Sequence, residues 1–99
     1  MNIRKEKKTE DSLLITLDGR LDITTAPDLE AELKQDLPGL KNLVFDFANL
    51  EYVSSAGLRV ILSAQKVMNR QGSMVIRNTR EEVLEVFEVT GFIDIFTLE

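Results

Sequence analysis

The chain has 99 residues, which is enough for one domain around one small core, and it contains neither cysteine nor histidine. The missing thiols and imidazoles exclude disulfides, zinc or haem sites built on those side chains, and Ser-His-Asp or Cys-His catalytic arrangements. Seventeen acidic against twelve basic residues give a net charge of −5 at pH 7, which disfavours nucleic acid as a partner because phosphate binding requires a basic face.

The N-terminal residues predict a β-hairpin. Residues 12–18 form an apolar run of β type that ends at Gly19, and residues 2–8 can pair with this run across the polar turn at residues 9–11. The outer strand is rich in charged side chains, which protect an exposed sheet edge from aggregation.

The next segment predicts a helix followed by a buried strand. At residues 24–27 a threonine hydroxyl can cap the free amides, and the proline suits the first helical turn. Leucines recur every four residues on one face, at Leu29, Leu33 and Leu37, before Pro38-Gly39 ends the helix. The apolar character of residues 42–47 favours a strand in a sheet covered on both faces, paired in parallel through the helical crossover.

The second half of the chain repeats the alternation of helix and strand. A helix is predicted from about Ala56 to Gln71, followed by a strand at residues 73–77. Asn78-Thr79 is expected to cap a third helix that ends at Gly91. The tail at residues 92–96 is apolar at alternate positions and is expected to fold back onto the core.

The order ββαβαβα predicts an α/β fold, with helices packed around a mixed sheet of about four strands in one domain of residues 1–99. No window approaches the roughly 18 to 20 apolar residues of a membrane span, and the charged N-terminus lacks the apolar segment of a signal peptide. We therefore expect a cytoplasmic protein without a membrane partner.

Two serines stand where a strand passes into a helix. A loop is expected to cross the carboxyl edge of the sheet, where sites in open α/β sheets usually lie, and to end at Ser54 and Ser55. The small residues Ala56 and Gly57 would then leave the backbone open to another molecule. Alternatively, one of the serines merely caps the helix by accepting a hydrogen bond from a free amide.

Three catalytic interpretations fail on these residues. A nucleophile elbow requires Gly-x-Ser-x-Gly and a base, but residues 53–57 lack the first glycine and the chain lacks histidine. The Gly-x-x-x-x-Gly-Lys-[Ser/Thr] pattern of a phosphate-binding loop is absent. A phosphoaspartate receiver needs clustered acids and a later strand lysine, which Asp46 lacks. The serines are therefore expected to form a modification site or an interaction surface.

Phosphorylation of a serine at the start of a helix would act on binding rather than on folding. The phosphate adds about −1.5 to −2 charge units, which the positive end of the helix accommodates. A partner packed over the same serine would have to desolvate the dianion or face repulsion between like charges. Phosphate can therefore switch binding without unfolding the domain.

Two motifs resemble the STAS domain, the fold shared by bacterial anti-sigma factor antagonists and the cytoplasmic parts of sulfate transporters. The first, residues 19–26, is similar to the family's Gly-x-Leu-Asp segment and the helix opening that follows it. The second joins Asp46 to residues 52–62, which are similar to the family's Asp/Ser-Ser-x-Gly-Leu turn and helix. The junction at residues 90–92 also fits, so the resemblance runs through nearly the whole chain.

The resemblance assigns roles to individual residues. Ser55 falls on the family's phosphorylatable serine, and Ser54 on the preceding position, which is Asp in many members and Ser in others. Asp22 matches the acid after Gly-x-Leu, in a loop expected beside the serine turn; a turn-forming acid that bonds nearby amides is the equal alternative. The implied partner-binding residues are Asp22, Ile23, Thr24, Ser54, Ser55, Ala56, Gly57, Leu58 and Arg59.

The function implied by the resemblance is that of a stand-alone anti-sigma factor antagonist in a partner-switching pathway. The unphosphorylated chain would bind an anti-sigma factor that is also a serine kinase, and so release the sigma factor, which it affects only indirectly. Phosphorylation of Ser55 would end binding, and a serine phosphatase would restore it. The resemblance implies no enzymatic activity, no catalytic residue, no cofactor and no metal.

Two other functions share these features. One is a STAS subunit of another assembly, such as a lipid-transport ATPase complex or a signalling scaffold, in which the serine is not phosphorylated. The other is a small enzymatic or nucleotide-binding domain that acts through Ser55 and Asp22.

Overall fold

A computed structural model describes all 99 residues, and the predicted order of elements, ββαβαβα, is confirmed. The elements are β1 (Asn2–Thr9), β2 (Ser12–Leu21), α1 (Ala26–Asp36), β3 (Asn42–Val53), α2 (Ser55–Gln71), β4 (Ser73–Arg77), α3 (Glu81–Thr90) and a 3₁₀ turn (Phe92–Asp94). The sheet is mixed and four-stranded, as predicted, in the order β1-β2-β3-β4.

Strand pairing follows the two types of connection. The short turn after β1 gives an antiparallel pair with β2, in which Lys5 lies opposite Ile15. Helices α1 and α2 serve as crossovers, so β2, β3 and β4 run parallel, with Phe45 of β3 between Ile15 and Ile76. The carboxyl ends of β2, β3 and β4 therefore point the same way, and the loops that follow β2 and β3 meet at that end.

The core fills only one face of the sheet. Along β3 burial alternates, with Leu43, Phe45 and Phe47 buried towards the helices. On the opposite face the side chains of Val44 and Asp46 are only partly buried. The prediction of a sheet covered on both faces was therefore wrong. Every second residue of the apolar segment points away from the helices, and one of these residues, Asp46, carries a carboxylate.

Strands β2 and β3 extend three and six residues beyond the predicted ends at residues 18 and 47. The pairing register shifts twice, after Thr16 and after Gly19, and each time β3 supplies one extra residue. Buried residues of β3 beyond the first shift consequently recur at a spacing of three, at Phe47, Leu50 and Val53. This spacing hid the strand from a search for alternation, and the predicted loop before Ser54 is strand.

Two predicted helix caps were wrong, whereas the predicted ends of α2 at Gly72 and of α3 at Gly91 are confirmed. Thr25, the N-cap residue of α1, makes no side-chain capping bond. Helix α3 begins after Arg80 rather than after Asn78-Thr79, because Asn78 adopts a left-handed backbone and donates its amide to Asp46 instead. Helix α2 ends at Gly72 as predicted, and a Cβ there would lie 1.8 Å from the Lys41 carbonyl oxygen.

The C-terminal tail folds back onto the core, as predicted, by way of the 3₁₀ turn at Phe92–Asp94. After the 3₁₀ turn, the Phe96 ring packs edge-on against Phe87, with 5.2 Å between ring centroids. Leu98 then forms a parallel bridge with Ile76 beyond the edge of β4. No helix combines the length and the hydrophobicity that a membrane span requires.

The tail offers a matched pair of substitutions. Phe96 is 5% exposed and its neighbour Ile95 is 46% exposed. We expect Phe96→Ala to lower the free energy of unfolding by about 3 to 5 kcal/mol, the usual loss for a buried aromatic ring. Ile95→Ala should change it by less than about 1 kcal/mol. Urea denaturation followed by circular dichroism measures both, and equal losses would contradict this packing.

Candidate functional site

The candidate site lies where β2 and β3 end side by side. Leu21 pairs with Val53 as the last step of the parallel ladder, and the Ser54 amide donates to the Leu21 carbonyl at 2.9 Å. The loop after β2 and the serine turn after β3 therefore leave the sheet together. This confirms the expectation that Asp22 and the two serines occupy neighbouring loops.

Gly57 allows helix α2 to start directly against the end of β2. A Cβ on this buried residue would lie 2.6 Å from Cγ of Leu21 and 2.9 Å from the Leu21 carbonyl oxygen. The glycine thus serves close packing inside the protein and does not open the backbone to another molecule. Leu58 is also buried, so these two predicted partner-binding residues support the site from beneath.

Ser54 is the N-cap of α2. Its backbone is extended, and its hydroxyl oxygen accepts a hydrogen bond from the Gly57 amide at 3.3 Å. Its carbonyl accepts the first bond of the helix, from the Leu58 amide at 2.8 Å. The alternative in which a serine caps the helix therefore holds for Ser54.

Ser55 differs from Ser54 in every one of these respects. It is the first residue of α2, it is exposed, and its hydroxyl forms no hydrogen bond within the chain. No carboxylate or amine of the chain forms a hydrogen bond with this hydroxyl. The side chain is left exposed at the first turn of α2.

Asp22 organises the loop that leads into α1. Its Oδ1 accepts hydrogen bonds from the Thr24 hydroxyl at 2.7 Å and from the Thr24 and Thr25 amides at 3.0 and 3.2 Å. The hydrogen bond from the Thr24 hydroxyl, followed by those from the two amides, lowers the pKa of Asp22 below its ordinary value of 3.8 even though partial desolvation opposes the shift. Asp22 is thus the turn-forming acid of the alternative interpretation.

The Thr25 hydroxyl locks the same loop from the other side. It accepts a hydrogen bond from the Asp22 amide at 2.8 Å and donates to the Arg20 carbonyl at 2.8 Å. This explains why it does not cap α1. Between these anchors Ile23 is left 76% exposed at the tip of the loop, and Thr24 is exposed beside it.

Two residues of the site were missed by sequence reasoning. The guanidinium carbon of Arg20 lies 4.2 Å from the centroid of the Tyr52 ring, and Arg20 Nε lies 3.9 Å from Asp22 Oδ2. The two residues are cross-strand partners only because the second register shift aligns them. No regular spacing in the sequence signals that alignment.

The surface beside Ser55 combines apolar side chains with charged groups of both signs, those of Arg59 and Glu30. A shallow groove of about 260 Å³ lies between the first turns of α1 and α2, with Ile23 and Pro27 on one side and Ala56 and Arg59 on the other. No cluster of acidic side chains is suited to hold a metal ion. An exposed isoleucine, a groove and a free hydroxyl suit contact with another protein.

Comparisons with known proteins give one family. The chain matches the family model described as "STAS domain" over residues 2–99. It is 40% identical over 91 residues to the "Putative anti-sigma factor antagonist BtrV" of Bordetella bronchiseptica, covering 90% of this chain and 78% of that protein.

Solved structures share the fold. A Thermotoga maritima protein described as "a putative anti-sigma factor antagonist" superposes with a TM-score of 0.88 at 19% identity, covering 97% of this chain and 84% of that one. Phosphorylated SpoIIAA, a Bacillus cell fate determinant, gives a TM-score of 0.78 at 18% identity, covering 99% and 91%.

The two serines should respond differently to loss of the hydroxyl. We expect Ser54→Ala to lower the free energy of unfolding by about 1 kcal/mol, because it leaves the Gly57 amide without its capping acceptor. Ser54→Asp, which retains an acceptor, should be close to wild type. Ser55→Ala removes no hydrogen bond and should change stability by less than about 0.5 kcal/mol. A larger loss in Ser55→Ala than in Ser54→Ala, measured by urea denaturation, would contradict these assignments.

The lowered pKa of Asp22 predicts a dependence of stability on acid. Because the ionised form is favoured in the folded state, its contribution is present above the ordinary pKa of 3.8 and is lost as the pH falls through the lower pKa of the folded protein. Asp22→Asn keeps a side-chain acceptor but cannot titrate. Its unfolding midpoint in urea, measured from pH 6 to pH 2, should therefore fall less steeply than that of wild type. Parallel curves would contradict the role of these hydrogen bonds.

Proposed function

Because this chain belongs to the STAS domain family, we propose that it is an anti-sigma factor antagonist whose binding is switched off by phosphorylation of Ser55. The partner is an anti-sigma factor that is also a serine kinase, and binding of the unphosphorylated chain releases the sigma factor. A serine phosphatase restores the unphosphorylated form. The 40% identity to a protein described as an anti-sigma factor antagonist supports this assignment.

One observation carries the proposal. Of two adjacent serines at the start of α2, Ser54 is engaged as the N-cap, whereas the Ser55 hydroxyl is exposed and unbonded. A kinase can take Ser55 into its active site without breaking any hydrogen bond of the domain. That SpoIIAA has been solved in a phosphorylated form supports the view that a protein of this fold tolerates the modification.

The partner would dock on the surface that surrounds this hydroxyl. Ile23, 76% exposed at the tip of its loop, supplies apolar area, while Thr24 and Ala56 lie beside it. Asp22 acts through the loop by holding Ile23 and Thr24 in place with its hydrogen bonds. Gly57 and Leu58 act from below, by fixing the start of α2 against β2.

Phosphorylation of Ser55 would need no catalytic group in the chain. The Ser55 oxygen attacks the γ-phosphorus of ATP bound to the kinase, the bond to ADP breaks, and the kinase accepts the hydroxyl proton. The dianion then lies at the positive end of α2, which tolerates it. A partner seated on the same surface would have to desolvate it, so binding weakens while the fold persists. The chain is a substrate of these reactions in the cytoplasm and is not an enzyme.

Substitutions at Ser55 test the switch against a matched control. We expect Ser55→Ala to bind the cognate kinase constitutively and to escape phosphorylation. Ser55→Asp should weaken binding at least about tenfold, or about 1.4 kcal/mol, because a carboxylate places charge where the partner packs. Ser54→Ala should still be phosphorylated. Isothermal titration calorimetry gives the affinities, and mass spectrometry after incubation with kinase and ATP locates the phosphate.

Two outcomes would overturn the proposal. If Ser55→Ala were still phosphorylated and Ser54→Ala were not, the phosphate acceptor would be Ser54 and not Ser55. Unchanged affinity of the phosphorylated wild-type chain for the kinase would show that the modification is not a switch.

A further inference from the structure

The charges of this acidic protein are distributed unevenly among its helices. Helix α2 contains no carboxylate, and its charged residues are three cations, Arg59, Lys66 and Arg70. Helices α1 and α3 both place an acidic residue in the first turn, and α3 contains four glutamates and no cation. The start of α2 is therefore the one helix start at which no side chain already supplies the negative charge that this end favours.

Arg59 has no partner of opposite charge. Four of the six arginines form ion pairs, namely Arg4, Arg20, Arg77 and Arg80. Arg59 forms neither an ion pair nor a side-chain hydrogen bond, and it is exposed. Glu30 of α1 lines the same groove as Arg59, but its carboxylate is not within ion-pair distance of the Arg59 guanidinium. The guanidinium is therefore free to move to a new anion.

Ser55 and Arg59 lie one helical turn apart on the same face of α2. Residues at this spacing have Cβ atoms about 5 to 6 Å apart, and an anion placed before the cation is the favoured order. A phosphate on Ser55 would present three acceptor oxygens to the planar guanidinium, which can bind two of them at once. The unmodified serine offers no charge, which agrees with the unpaired arginine observed.

We propose that Arg59 is the intramolecular counter-ion of phosphorylated Ser55, and that this pairing withdraws Arg59 from the partner-binding surface. The inference rests on the proposed function and deepens its mechanism. Phosphorylation then changes the partner-binding surface in two ways, since it adds a dianion at Ser55 and removes the free cation of Arg59 from the groove. Arg59 is a positioning residue for the phosphate rather than a catalytic one.

The absence of histidine gives this inference a clean test. The second ionisation of phosphoserine occurs near pH 6, where no other side chain of the chain ordinarily titrates. A counter-ion favours the dianion and so lowers that pKa. Glu30, which lines the same groove as Arg59, and Asp22 in the neighbouring loop are present in wild type and in every variant, so their effect on the phosphate is common to all the chains compared.

The experiment is a ³¹P NMR titration from pH 4.5 to 8 of chains carrying phosphoserine at position 55, introduced during translation so that no kinase is needed. The phosphate pKa of wild type should be lower than that of Arg59→Gln by about 0.15 to 0.4 pH units, the size expected for an ion pair between neighbours on a helix. Arg59→Lys should be intermediate. Arg70→Gln, which removes another unpaired arginine of α2, should match wild type.

Equal pKa values in wild type and Arg59→Gln would overturn the inference, as would equal effects of Arg59→Gln and Arg70→Gln. Circular dichroism verifies that the exposed substitutions leave the fold intact. Failure here is distinguishable from failure of the proposed function. If the phosphorylated chain still binds its kinase with unchanged affinity, the proposed phosphorylation switch is wrong whatever the titration shows. If the phosphate pKa is the same in wild type and Arg59→Gln, only the role of Arg59 is wrong.

Discussion

The candidate site depends on one contact, the last step of the parallel ladder between β2 and β3. Val53 lies opposite Leu21, and the next amide, that of Ser54, still donates to the Leu21 carbonyl. The loop after β2 and the serine turn after β3 therefore begin side by side at the end of the ladder. Gly57 then lets α2 begin in contact with Leu21, so a helix start and a loop tip share one surface without a connecting element between them.

The residues of that surface divide into those that hold the backbone and those that remain available. Ser54, Asp22 and Thr25 each use a side-chain oxygen to accept a hydrogen bond from an amide, that of Gly57, Thr24 and Asp22 respectively, for which the backbone supplies no acceptor. Because these three satisfy the local backbone, the Ser55 hydroxyl and the Ile23 side chain have no structural task. The proposed phosphorylation of Ser55 would therefore break no side-chain hydrogen bond of the domain, as a reversible switch requires.

The sequence predicted the order of elements, the number of strands and the neighbouring positions of the two loops, because these follow from apolar periodicity and from glycine and proline positions. It did not predict where β2 and β3 end. Two bulges in β3 change the spacing of its buried residues from two to three at Phe47, Leu50 and Val53, and no local rule announces a bulge. The contact between Arg20 and Tyr52 was not predicted for the same reason.

Net charge and local charge answer different questions in this protein. The net charge of −5 argues against nucleic acid, because a polyanion samples the whole surface. A single phosphate does not, since at physiological ionic strength charges beyond about 8 Å are largely screened. What a phosphate on Ser55 meets is the first turns of α2, which hold Arg59 and no carboxylate. The proposed phosphorylation would therefore add a dianion at the start of α2, a helix without carboxylates. The acidic side chains lie on other elements, such as α3 with its four glutamates.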